Sequence, residues 1–207
     1  MSPIITHEDE LDLAKNEKQL ATQLRKIAKW QRAIGSSQNK IAADLANMNI
    51  ERQKLNRIFR DVINQMQNLA RENRSNVGEE EVSKFQDIIH DNDNYIEANN
   101  TYVTAIKDLA IRKGDLAARI DLFANALNEV AAKRKIVIKK ALSLERSKDK
   151  LIESGKLTAL ENELNDSQRE FDRTRNILLK EIEQFLQVRA ELNDLWLELK
   201  KSISQMS

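Results

Sequence analysis

Histidine is the side chain whose ordinary pKa lies nearest neutrality, and the sequence has two, His7 and His90. His7 stands in THEDE, where Glu8 and Glu10 add carboxylates that could complete a metal site. His90 stands in IIHDNDN, where an acidic neighbour could orient it as a catalytic base. A solvated helix start and an exposed helical position explain the two histidines more simply, so we predict neither a metal site nor a catalytic base.

Other catalytic patterns are missing from the sequence. It has no cysteine, which excludes disulfides and thiolate metal sites and fits a reducing compartment. Gly155-Lys156 lacks the upstream glycine of a phosphate-binding loop. Trp30 and Trp196 suit helix-packing edges or a contact with a second copy better than a cofactor site. The sequence therefore predicts a protein that is not an enzyme and needs no cofactor.

Basic residues are the remaining candidates, because they are unevenly distributed in a chain of net charge +1. Residues 79–100 contain seven acids and one base, whereas residues 131–150 contain eight bases and two acids. The run AAKRKIVIKK, residues 131–140, opens the basic segment. At 100° per residue, one helical face within about 60° collects four of these bases. They are Lys135, Lys139, Arg146 and Lys150.

More bases are expected beside this face. Lys133 and Lys140 flank it, and an antiparallel helix would bring Arg25, Lys26, Lys29 and Arg32 alongside, with Lys156 in the following turn. A charge run is often a solvated face with ion pairs along the helix, but acids for such pairing are largely missing here. Each base near an anionic membrane contributes about 1 kcal/mol of attraction, so a membrane surface is one predicted partner.

Nucleic acid is a less suitable partner for the same charges. A basic leucine-zipper region continues into a parallel zipper, whereas this stripe is followed by a turn. The sequence also has no zinc finger and no aromatic stacking platform. We therefore predict no nucleic-acid binding.

The elements that position these residues are predicted to be long helices. Aromatic residues make up 4% of the chain, and it has four glycines and one proline, which disfavours strands and tight hairpins. No apolar run approaches the roughly 20 residues of a membrane-spanning helix. Residues 1–14 are acidic and lack a signal-peptide core, so we expect a chain that does not cross a membrane.

Apolar residues recur every seven positions in three registers, which predicts helices packed side by side. The first register is Leu13, Leu20, Ile27, Ile34, Ile41, Met48, Leu55, Val62 and Leu69, with Leu24, Leu45, Phe59 and Met66 as second positions. The second is Val82, Ile89, Ile96, Val103, Ala110, Ala117, Ala124, Ala131 and Ile138. The third is Leu157, Leu164, Phe171, Leu178, Phe185, Leu192 and Leu199.

Two breaks, at residues 71–81 and 153–156, separate the registers. Helix 1 is therefore predicted over about 7–74, helix 2 over about 79–152 and helix 3 over about 157–205, in a single domain spanning 1–207. Thr6 with Asp9 and Thr158 with Glu161 have the spacing of helix-capping pairs. Gly35-Ser36-Ser37 and Gly114 predict bends rather than ends, because the registers continue through them.

We predict an all-α fold, an antiparallel coiled coil of three long helices. Such narrow rods cover their ends poorly, so a homodimer is expected. Two spectrin-like repeats of about 100 residues are the alternative architecture, but they need a helix boundary about every 30 residues.

The pattern resembles the BAR domain of a sorting nexin. Helix 3 carries the closest likeness in REFDRTRNILLKEIEQFLQVRAELNDLW, residues 169–196. Its marks are Glu170-Phe171, then KEIEQF at 180–185, then Arg189 before an apolar run. Helix 2 offers a looser likeness in NYIEANNTYVTAIKDLAIRKGDL.

The resemblance implies a crescent-shaped dimer, with itself or a related chain, that senses or generates curvature on endosomal membranes during cargo retrieval. It implies a cytoplasmic protein bound peripherally to anionic phospholipid. The predicted membrane-binding residues are Lys133, Lys135, Lys139, Lys140, Arg146, Lys150, Lys156, Arg25, Lys26 and Lys29. Sorting nexins also carry a phosphoinositide-binding PX domain, and residues 1–207 contain no counterpart. The alternative function is a non-enzymatic coiled-coil scaffold or tether that docks an acidic protein partner.

Overall fold

The computed structural model describes residues 6–73, 78–149 and 154–206, and it places three long helices in them. Helix α1 is His7–Asn73, α2 is Glu79–Asp149 and α3 is Ser154–Met206. The described residues contain no strand. This confirms the all-α prediction and the three helices to within a few residues. Continuous helices of 67 and 71 residues are incompatible with spectrin-like repeats.

The start of α1 is capped as its sequence predicts. The Asp9 amide donates to Thr6 Oγ1 at 3.2 Å, and the Thr6 amide and hydroxyl donate to Asp9 Oδ2 at 2.9 and 2.7 Å. The Thr6 hydroxyl and then its amide lower the pKa of Asp9 by stabilising the carboxylate. The predicted cap at Thr158 is wrong, because α3 already begins at Ser154 and Thr158 lies inside it.

Gly78 precedes α2 with a φ of 104°. Its carbonyl accepts from the Val82 amide at 2.8 Å, and an added Cβ would lie 3.2 Å from Met66 Cε. Both the left-handed backbone and the close side chain favour glycine at this position.

The chain divides into two compact units, which are described separately. Unit 1 comprises Met1–Ala33 and Arg112–Leu192, and unit 2 comprises Ile34–Ile111 and Asn193–Ser207. Two of the three borders lie near Gly35 and Gly114, where the sequence predicts bends. Both glycines lie within continuous helix, and bending there stays a prediction.

Unit 1 contains segments of all three helices around one apolar core. Ion pairs His7–Glu145 and Arg32–Asp121 show that α1 runs antiparallel to α2. The buried core residues of unit 1 come from α1 and α2, and side chains of α3 pack against this core. They are Ala21, Leu24, Ala28, Leu116, Ala117, Ile120, Ala124 and Leu127, covered by Phe123, Leu178, Phe185, Val188 and Leu192.

Unit 2 has a smaller apolar core and a polar interior. Ala42, Val103 and Ile106 form a buried cluster against Leu45, Ala46 and Tyr102. Further along the same α1–α2 contact, four amides are buried beside Ile63, Ile89 and Ile96: Asn49, Asn56, Asn92 and Asn99. Phe59 and Phe85 stack near the turn, with ring centroids 5.3 Å apart.

The second and third registers are packed as predicted. Eight of the nine second-register residues are buried, and Val82 is half-buried. All seven third-register residues are buried or half-buried.

The first register is wrong by one residue. Apart from Val62, its members are exposed by 42% to 57%. The seven-residue series that α1 actually buries is Ala14, Ala21, Ala28, Gly35, Ala42, Asn49, Asn56 and Ile63. Small side chains allow the helices to approach closely, so the larger neighbours at the preceding positions are left at the edge of the contact. We call the exposed set the α1 stripe: Leu13, Leu20, Ile27, Ile34, Ile41, Met48, Leu55 and Leu69.

Candidate functional site: the basic residues of unit 1

Lys133, the first base of AAKRKIVIKK, is held by α3. Its Nζ lies 2.5 Å from Glu170 Oε1. The hydrogen bond from Lys133 and its positive charge lower the pKa of Glu170 below the ordinary value. A predicted membrane contact is therefore also part of the α2–α3 packing.

Arg134 joins all three helices of unit 1. It donates from Nε and Nη2 to both oxygens of Glu17 on α1, at 3.1 and 2.7 Å, and from Nη1 to Glu10. Its guanidinium carbon lies 5.0 Å from the centre of the Phe171 ring on α3. The side chain is only 14% exposed. Burial acts to lower the pKa of Arg134, but the hydrogen bonds and charges of Glu17 and Glu10 outweigh burial and raise it.

Two later bases of α2 are paired with α3 as well. Lys140 Nζ lies 3.6 Å from Glu163 Oε2 and donates to the Glu163 carbonyl at 3.3 Å. Lys148 Nζ lies 3.2 Å from Glu161 Oε1. The sequence-based expectation concerned acids along α2 itself; these bases are nevertheless paired, because their acids come from the neighbouring helix.

Three bases of the predicted α2 face remain available. Lys135, Lys139 and Arg146 are exposed, and none forms an ion pair within the described residues. Lys150 lies outside the described residues. Lys156 is exposed near the start of α3 but has an interaction of its own, so we leave it out of the available set.

The bases of α1 divide in the same way. Arg25 donates to Asn125 Oδ1 at 2.9 Å, and Arg32 is paired with Asp121. Lys26 and Lys29 are exposed and form no ion pair in the described part of the chain. Among the ten predicted membrane-binding residues, we call those that are exposed and have no such partner the free basic set: Lys26, Lys29, Lys135, Lys139 and Arg146.

The histidines are engaged in ordinary helix contacts. His7 Nε2 lies 3.0 Å from Glu145 Oε1, and His90 Nε2 lies 3.1 Å from Asn94 Nδ2. Glu10, a possible partner of His7 in a metal site, is bound to Arg134 instead. Across residues 6–73, 78–149 and 154–206, no three His, Asp or Glu side chains are grouped to hold a metal ion.

The α1 stripe is a second candidate surface, which the sequence singled out but assigned to the interior. The signal that identifies the true buried series is the alanines and asparagines at the next position, repeating with the same period. Trp30, 71% exposed, is outside the unit 1 core, and Trp196 is also exposed. Within the described ranges, no helix is long and apolar enough to cross a membrane.

Comparison of the chain with family models, curated proteins and solved structures finds no match.

Proposed function

We propose that the chain is a dimeric membrane-binding module that senses or generates curvature on endosomal membranes, in the manner of the sorting-nexin BAR domains that its sequence resembles. The observation that carries the proposal is the free basic set of unit 1. Arg25, Lys133 and Lys140 are engaged with Asn or Glu partners. The five bases of the free basic set, in contrast, have no carboxylate partner among the described residues.

Electrostatic attraction between these bases and an anionic membrane is sufficient for peripheral binding. Each Lys or Arg near an anionic leaflet contributes about 1 kcal/mol, so Lys135, Lys139 and Arg146, which share one face of α2, contribute about 3 kcal/mol per chain. A dimer presents two such sets to the same membrane. Binding then requires no inserted segment, and it weakens as salt screens the charges.

The second copy is proposed to cover the α1 stripe. Rows of half-exposed Leu, Ile and Met side chains are unusual on a protein that acts alone. A second copy of the chain brings the same stripe residues within each unit, so matching segments of the two stripes can cover each other. A related chain with the same stripe would form a heterodimer by the same contacts.

Vesicle co-sedimentation tests the proposal. The variant Lys135→Glu/Lys139→Glu/Arg146→Glu is compared with Arg175→Glu/Lys180→Glu/Arg189→Glu, which makes the same charge change at exposed residues of α3 in unit 1. On phosphatidylserine vesicles, removing three attractive charges is expected to weaken binding roughly 100-fold or more. The α3 variant should retain most of the wild-type affinity.

Two outcomes of this experiment would contradict the proposal. If the wild-type chain does not bind phosphatidylserine vesicles at low salt, the membrane function is wrong. An acidic protein partner is then the remaining reading of the basic set. Equal weakening by the two variants would show that net charge, rather than this surface, governs binding.

A further inference from the structure

Unit 2 contains a buried network of asparagine amides between α1 and α2. Asn49 and Asn56 of α1 are 3% and 1% exposed, and Asn92 and Asn99 of α2 are also buried. Burying an amide without hydrogen-bond partners costs free energy. The hydrogen bonds of these four side chains therefore decide whether the asparagines stabilise or destabilise the pairing of the helices.

The amides are matched across the two helices. Asn99 Nδ2 donates to Asn49 Oδ1 at 2.7 Å, and Asn49 Nδ2 donates to Asn100 Oδ1 at 2.8 Å. One heptad away, Asn92 Nδ2 donates to Asn56 Oδ1 at 2.9 Å. Asn56 Nδ2 donates to Asp93 Oδ1 at 2.7 Å.

Surrounding groups complete the network. Arg52 Nη1 donates to Asn92 Oδ1 at 2.6 Å, and Asn99 Nδ2 also donates to the Leu45 carbonyl at 3.2 Å. Arg60 Nη2 lies 3.0 Å from Asp93 Oδ2, which holds the acceptor of Asn56 in place. All four buried amides are satisfied together only when the helices are paired as they are.

We propose that this asparagine network sets the register in which α1 pairs with α2 in unit 2. In the observed register, Asn49 faces Asn99 and Asn56 faces Asn92. A slip of one heptad in one direction places Asn49 against Asn92 but leaves Asn56 against Phe85 and Asn99 against Ala42. A slip in the other direction places Asn56 against Asn99 but leaves Asn49 against Ile106 and Asn92 against Ile63.

The second-register residues of α2 discriminate weakly between these registers, although a slip would also separate Phe59 from Phe85. The adjacent seven-residue series of α2, which is the second register, contributes Ile89, Ile96 and Val103 here, and these are similar in shape. A heptad slip therefore exchanges one β-branched residue for another, whereas it deprives two buried amides of partners. A buried asparagine is a known means of specifying register in helix pairs, at a cost in stability.

Two double variants with the same number of substitutions separate register from stability. Asn49→Leu/Asn99→Leu keeps the facing pair Asn56 and Asn92, so it is matched in the observed register. Asn56→Leu/Asn99→Leu keeps Asn49 and Asn92, which face each other only after a heptad slip. Each variant changes one asparagine on each helix.

Spin labels on the full-length chain report the register. The sequence has no cysteine, so Lys54→Cys and Lys107→Cys, both exposed in unit 2, provide two unique labelling sites. A heptad slip moves α2 along α1 by about 10 Å. The matched variant should retain the single wild-type distance, and the mismatched variant should show a population about 10 Å longer. An unshifted distance in both folded variants would overturn the proposal.

Thermal unfolding covers the case in which the mismatched variant does not fold. The proposal then predicts that the matched variant melts at or above the wild-type temperature while the mismatched variant has lost its transition. Loss of folding in both variants would overturn it, because the remaining matched pair would not have been sufficient.

Discussion

Arg134 of α2 contacts both α1 and α3, whereas Lys135 beside it pairs with no acid in the part of the chain that the structure describes. The difference follows from their directions on α2, since Arg134 points between Glu10 and Glu17 of α1 and the Phe171 ring of α3. Lys135 points to solvent. A run of basic residues thus combines a structural arginine with bases available for binding.

Replacing Arg134 tests its structural role. Arg134→Leu is expected to lower the free energy of unfolding by about 2–3 kcal/mol, because it leaves two largely buried carboxylates without a cation. Arg134→Lys keeps the charge but loses the two-pronged contact with Glu17, so its loss should be about 1 kcal/mol. Urea unfolding measures both. A leucine variant as stable as wild type would contradict the assigned role.

Glu170 should make unit 1 sensitive to acid. Its pKa is lowered by the hydrogen bond from Lys133, so the pair stabilises the fold above the ordinary pKa of 4.5. That stabilisation is lost as the pH falls through the lowered pKa of the folded state. The melting temperature of Glu170→Gln should therefore fall less between pH 7 and pH 3 than that of the wild type.

The control for this acid effect is Asp166→Asn. Among the described residues, Asp166 pairs only with Arg169, three residues away at 3.5 Å, and both side chains are more than three-quarters exposed. This variant should respond to acid as the wild type does. An acid response of Glu170→Gln equal to that of wild type would rule out the Lys133 pair as a contributor.

At the scale of elements, α1 has two apolar series side by side. The buried series contains alanine at 0% exposure at four positions, Ala14, Ala21, Ala28 and Ala42. The adjacent stripe contains the larger Leu, Ile and Met side chains and remains half-exposed. Association through the stripe would bury apolar area that folding leaves in water.

Charges placed in the stripe should prevent association. Ile41→Glu/Met48→Glu is expected to raise the dissociation constant of the dimer roughly 100-fold, because four half-buried apolar side chains per dimer lose their contacts. Asn39→Glu/Asn47→Glu adds the same charge at exposed positions of α1 and should leave the dimer intact. Sedimentation equilibrium distinguishes them. A wild-type chain that stays monomeric at high concentration would exclude self-association.

The sequence predicted the helices well and their contacts unevenly. Period and turn residues locate α1, α2 and α3, and the α2 register is correct since its apolar residues are also its buried ones. The α1 register failed because hydrophobicity ranks leucine above alanine, while close helix approach selects alanine. Likewise, the acids that engage Lys133 and Lys140 are 37 and 23 residues away, where inspection of α2 alone does not find them.

For the whole molecule, the decisive distinction is between bases that hold helices together and bases that are available to a partner. Lys133 and Lys140 belong to the first group, and Lys135 and Lys139 belong to the second. All four lie within one short segment of α2 in unit 1. Neutralising either pair changes the net charge equally, so their comparison isolates the position of the charge from its amount.

Binding of two glutamine variants to phosphatidylserine vesicles is the most direct test of the membrane function. Lys135→Gln/Lys139→Gln is expected to weaken binding roughly 30-fold, since each base contributes about 1 kcal/mol. Lys133→Gln/Lys140→Gln should bind nearly as the wild type does and unfold more easily. Equal binding by both variants, or greater weakening by the Lys133/Lys140 variant, would contradict the assignment of the free basic set to the membrane.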